Sequence, residues 1–113
     1  MTAADVILKV RFYLNDQDTA TLRWLDDELW PLVNDAVSQV TRLRPDALYD
    51  ANGALITVVP AISAGSMLSI DDKWIVPVAL FTSAQAMNKQ AGQTFNAKKV
   101  ESFMQQFSLL IKV

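Results

Sequence analysis

The chain has 113 residues, a net charge of −2, no cysteine and no histidine, and 51% of it is apolar. That length suits one domain with a single core, and the missing residue types exclude a disulfide framework, thiol chemistry, a serine–histidine triad and the soft ligands of a zinc site. No basic cluster exceeds Lys98-Lys99, which weighs against a dedicated nucleic-acid binder, and no apolar run approaches the roughly 20 residues of a membrane span.

The N-terminal segment predicts a helix over 3–14, with Thr2 and Asp5 as a capping pair. Val6, Ile7, Val10, Tyr13 and Leu14 share one face, and Leu8 and Phe12 lie four apart on the opposite one. Two apolar stripes require cover on both sides, either from the domain's own loops or from another subunit. Asp5 interrupts the segment and no basic region precedes it, so no secretory leader is expected.

Residues 15–21 read as a polar loop. A second helix is expected over 26–43. Leu29, Leu32, Val33, Ala36, Val37, Val40 and Leu43 form its apolar face. Asp26, Asp27 and Glu28 favour its positive end, and Arg42 and Arg44 favour its negative end. Pro31 removes one early helical bond, and Pro45 disfavours helical geometry at Arg44 and ends the run. Trp24 is expected to pack across helix ends. Trp30, at the margin of the apolar face, is either a core edge or an interface anchor.

Residues 47–59 predict a β-hairpin, because Asn52-Gly53 is a strong type I′ turn pair flanked by Leu48-Tyr49-Asp50 and Leu55-Ile56-Thr57-Val58-Val59. A lone hairpin is marginal in water, so this one either packs on its own helices or meets a neighbour through Tyr49 and Ile56. After a loop over 60–69, capped by Ser69 or Asp71, a third helix is expected over 71–88, apolar all the way round and kinked at Pro77. Such a helix is central and buried, with Trp74 in the core. A fourth helix is expected over 96–112, with Ala97, Val100, Phe103, Met104, Phe107, Leu110 and Ile111 on one face. The apolar end Leu109-Leu110-Ile111-Lys112-Val113 is expected to dock on its own core or on a partner.

The carboxylate clusters Asp26-Asp27-Glu28 and Asp71-Asp72 sit at helix starts, where they serve the dipole rather than catalysis or magnesium. Asp16-x-Asp18 lacks the glycine and terminal glutamate of a calcium loop. The three glycines stand apart and form no phosphate cradle. No catalytic, metal or cofactor-binding residue is identified, and an enzyme is not expected. The expected fold is mainly α: a single four-helix bundle-like domain over 1–113 with a β-hairpin inserted between helices 2 and 3.

The run Arg23-Trp24, Asp26-Asp27-Glu28-Leu29, Asn34-Asp35-Ala36 and Leu43-Arg44-Pro45-Asp46-Ala47 resembles the opening region of head–tail adaptor (connector) proteins of tailed phages. The likeness is close over 23–47 and looser over 69–113, and the chain departs from the pattern at Leu25 and Pro31. The resemblance implies a structural virion protein at the head–tail junction, made in the host cytoplasm. Its subunits form a ring, a dodecamer in such families, below the portal protein, and they receive a tail or nozzle protein. DNA passes the lumen without base recognition, and no membrane or cofactor is involved.

The expected contact residues are Leu8, Phe12, Trp30, Arg42, Tyr49, Ile56, Leu109, Ile111 and Val113, facing a sister subunit, the portal or the tail. Arg42 would face a neighbour's acidic helix start; alternatively the 42–46 corner satisfies its own backbone, with Arg44 and Asp46 paired locally. The competing readings are a tail-completion or terminator protein and a small helical DNA-binding regulator. The regulator lacks a basic recognition helix.

Overall fold

In a computed structural model the described residues are 3–14, 24–49, 52–55, 70, 72–88 and 96–112. They contain four α-helices: α1 (Ala3–Leu14), α2 (Asp26–Leu43), α3 (Ile75–Asn88) and α4 (Asn96–Ile111). Two short 3-10 turns, Pro45–Leu48 and Asp72–Trp74, follow α2 and precede α3. The proposed Thr2 and Asp71 caps and the loops over 15–21 and 60–69 lie outside the described residues.

The spacing of apolar residues explains the packing. Val6, Val10 and Leu14 on α1 and Leu29, Val33, Ala36 and Val40 on α2 are buried at helical intervals. On α4 the buried positions are Phe103, Phe107 and Ile111, four residues apart. α3 differs, because Val78, Ala79, Leu80, Thr82, Ser83, Ala84, Ala86 and Met87 are buried in nearly unbroken succession. It therefore sits centrally and packs against each of the other three helices. Its two hydroxyls stay satisfied inside the core: Thr82 donates to the Val78 carbonyl and Ser83 to that of Ala79, both at 2.8 Å.

Proline sets two boundaries. Pro77 lies in the first turn of α3 rather than at a mid-helix kink. It has no N–H to donate to the Lys73 carbonyl, so the α-helical ladder does not run back through that residue. Residues 72–74 wind as a 3-10 turn instead. Pro31 lies inside α2 and is exposed, so water can serve the carbonyl that loses its bond.

Among the described residues the expected β-hairpin is not found. The described residues contain no strand; Tyr49 and Leu55 make a single isolated antiparallel bridge around Gly53, whose φ is +80°. The reason lies upstream. Pro45 presets the φ of a tight turn, Ala47 N–H bonds the Arg44 carbonyl at 2.9 Å, and Tyr49 N–H bonds that of Asp46 at 3.2 Å. Leu48 is thereby drawn into a 3-10 turn and is not available as the first strand residue of the expected flank. Residues 56–59, the other proposed flank, lie outside the described set.

A buried cation ties α1 to α2. Arg11, on the last turn of α1, donates from one terminal nitrogen to the Trp24 carbonyl at 2.8 Å and from the other to Asp26 Oδ1 at 2.6 Å. Trp24 is buried, and its Nε1–H donates to the Ala86 carbonyl of α3 at 3.3 Å. Leu25 occupies the N-cap of α2 without a side-chain acceptor. Glu28 supplies half of a capping box by accepting the Leu25 N–H at 3.2 Å. Replacing Arg11 with Met keeps its aliphatic bulk but leaves the buried Trp24 carbonyl without this donor. Urea denaturation followed by tryptophan fluorescence is expected to show a loss of about 1–3 kcal/mol.

Candidate assembly surfaces

The corner after α2 is organised by Arg44. Its backbone N–H closes α2 on the Val40 carbonyl at 2.8 Å. Its side chain makes a two-pronged pair with Asp46: Nε–H donates to Oδ1 at 2.9 Å and NH2 to Oδ2 at 2.8 Å. The remaining nitrogen reaches the Ile111 carbonyl at the end of α4, 2.9 Å away. The guanidinium carbon also lies 5.3 Å from the Trp74 ring centroid, and Lys73 Nζ lies 5.5 Å from it. One side chain therefore joins the exit of α2, the entry to α3 and the end of α4. Trp74 Nε1 is buried and meets no acceptor among the described residues.

The two hydrogen bonds from Arg44 hold the Asp46 carboxyl below the ordinary carboxylate range, and the same pairing raises the guanidinium. Elsewhere, burial pushes the Tyr13 phenol up. Among the described residues no group of three or more acidic side chains is placed to hold a metal ion. No helix among them is long and apolar enough to cross a membrane.

Among the described residues, apolar area is exposed in two grooves. Leu8 is 68% exposed and Phe12 is 66% exposed, on the side of α1 opposite its buried stripe. They line a groove with Asp5, Lys9 and Ile75. The second groove runs along α4 and is lined by Glu101, Met104, Gln105, Ser108 and Leu109, the last 70% exposed. The three- and four-residue intervals show that each groove follows one helical stripe.

Leu8 and Phe12 thus come together, and Leu109 stands on a separate face. Trp30 is half-buried against the core rather than in either groove. Arg42 is exposed and donates to Gln39 Oε1 within its own helix. Tyr49 is exposed beside the exposed Leu55. Ile111 is only 8% exposed and packs in the subunit's own core. Leu110, expected on the buried face, is instead 43% exposed. Ile56 and Val113 lie outside the described residues. Met104 packs partly against the core, as expected, and its remaining surface lines the α4 groove. Exposure of Leu25 and Leu43 carried no sign in the sequence.

No protein-family model, curated protein or solved structure matches this chain.

The Asp46 pair makes stability depend on pH in a defined direction. A carboxyl depressed in the folded state contributes fully above its unfolded value, about 3.9. That contribution is lost as pH falls through the lower folded value. Urea midpoints measured from about pH 5 down to about pH 2 are expected to fall less steeply for Asp46→Asn than for the parent chain.

Proposed function

We propose that this chain is a structural assembly subunit, a head–tail adaptor of a tailed phage. In this reading copies form a ring below the portal protein, join the capsid to the tail or nozzle and extend the channel through which DNA passes. The protein acts at the head–tail junction of the virion after synthesis in the host cytoplasm.

The observation that carries the reading is the exposure of Leu8 and Phe12 on a helix whose other face is already in the core. A contiguous apolar stripe on a small subunit marks a surface that a partner covers. The similarity of residues 23–47 to adaptor openings narrows the partner class. The net charge of −2 suits a lumen past which DNA moves without being held. Assembly then draws on apolar area removed from water at about 25 cal/mol per Å², less the entropy of association.

The test is electron microscopy and light scattering of the chain mixed with a portal protein from the same phage. A ring attached at one end of the portal is expected. A monomer that ignores the portal would overturn the reading. The double variant Leu8→Asp/Phe12→Asp is expected to abolish ring attachment while changing unfolding stability by no more than about 0.5 kcal/mol, since both side chains are exposed.

A further inference from the structure

The α4 groove carries opposite charges at its two ends. Glu101, Met104, Gln105, Ser108 and Leu109 line it. Lys112 continues it: this residue lies one position past α4, but its N–H still bonds the Ser108 carbonyl at 3.1 Å and keeps the helical register. At about 100° per residue these positions fall within about 140° of one face, centred about 130° from the buried Phe103–Phe107–Ile111 stripe. Glu101 and Lys112 stand about three turns apart on the middle line of that face. Both are exposed, and neither makes an ion pair with a described residue.

Reversing the stripe reproduces it with the charges exchanged. About the midpoint between Gln106 and Phe107, Glu101 is the mirror position of Lys112, Met104 of Leu109 and Gln105 of Ser108. A second copy laid antiparallel therefore sets Glu101 against Lys112 at both ends of the contact. Gln105 meets Ser108 in the middle, where the small side chain lets the two backbones approach. Met104 of one copy comes level with Leu109 of the other, so that apolar area on both flanks leaves water.

The other pairings of the exposed stripes are poorer. A copy laid parallel in the same register sets Glu101 against Glu101 and Lys112 against Lys112. The α1 stripe laid antiparallel, with Leu8 on Leu109, offers Lys112 only Asp5, which already interacts within its own chain, and offers Glu101 no cation within α1. The antiparallel register that sets Lys9 against Glu101 lays Phe12 on Lys98. The parallel one that lays Leu8 on Met104 sets Asp5 against Glu101. Charge complementarity at both ends thus selects a second α4.

We infer that two copies of this chain pair through α4, antiparallel, about a two-fold axis at the level of Gln106 and Phe107. Such a contact is isologous: the same patch serves both partners, and none of it is left over for a third copy. The inference goes beyond the adaptor reading and does not rest on it. It uses no residue of the Leu8–Phe12 groove and describes the chain on its own, before any portal is met.

Sedimentation of the chain alone is expected to show a monomer–dimer equilibrium. Glu101→Lys and Lys112→Glu each turn two ion pairs per dimer into two like-charge contacts, and each alone is expected to weaken the dimer about five- to thirtyfold. An equimolar mixture of the two variants restores opposite charges at both ends and is expected to recover the parent affinity. Circular dichroism checks that these exposed substitutions leave the fold intact. The chain contains no cysteine, so the register can be read by disulfide trapping. Glu101→Cys chains mixed with Lys112→Cys chains are expected to cross-link, and neither alone, because like positions lie about 16 Å apart along the helices. The double variant E101C/K112C is expected to stop at a dimer. A parent chain that sediments only as a monomer, a dimer that tolerates both charge reversals, or a ladder of larger cross-linked species would each overturn this pairing. A monomer whose α4 groove is covered only on addition of portal overturns it too and leaves the adaptor reading standing.

Discussion

From Val78 to Met87 the third helix buries residues around its whole circumference, including the hydroxyls of Thr82 and Ser83. Such a helix must be covered on most of its sides, and among the described residues three other helices pack against it. Each of them accordingly turns its best apolar stripe inward. The hydroxyls are tolerated because each bonds a carbonyl one turn back on its own helix; an unpaired buried donor would cost about 1–3 kcal/mol. Ala79, Ser83, Ala84 and Ala86 keep the central helix slim, which allows close approach of its neighbours.

Apolar contact is non-directional, so it brings the helices together without fixing how their ends meet. Two arginines supply direction. Arg11 locks the last turn of α1 onto the carbonyl and carboxylate that open α2. Arg44 locks the exit of α2 to the last carbonyl of α4, where a cation is also favoured by the helix dipole. The planar guanidinium suits both tasks, since it donates in several fixed directions at once. Trp24 adds a third tie by bonding the Ala86 carbonyl near the end of α3.

Local signals were legible and distant ones were not. The span of α2 follows from the acidic residues at 26–28, the apolar positions from Leu29 to Val40 and the stop at Arg44-Pro45, all within one window. The pairing of Arg44 with Asp46 was likewise readable as one alternative, because the two residues are neighbours. Its bond to Ile111, 67 residues away, had no sequence trace. Arg11 lies between Val10 and Phe12 in an otherwise ordinary last turn, so nothing local distinguished it from a solvated basic residue. The hairpin misread has a different origin. Asn52-Gly53 is a strong local turn signal, and Gly53 does adopt positive φ, but a turn makes a hairpin only if both flanks stay extended. Pro45 committed one flank to a 3-10 turn first.

On α4 the spacing places Leu110 on the same face as Phe103, Phe107 and Ile111 and leaves Leu109 off it. At about 100° per residue, Phe103, Phe107 and Ile111 span about 80°, Leu110 lies about 60° from their centre and Leu109 about 160° from it; accordingly Leu110 is 43% exposed at the margin and Leu109 is 70% exposed. The same arithmetic places Leu8 nearly opposite Val10 on α1. No rotation of either helix about its own axis could hide both stripes against α3, because the inward positions are already filled. Among the described residues, the exposed apolar side chains on α1 and α4 are what remains once each helix has turned one stripe toward α3. The charged residues beside them, Asp5 and Lys9 on one groove and Glu101 on the other, do not remove that area from water. They restrict the orientations in which another surface can cover it.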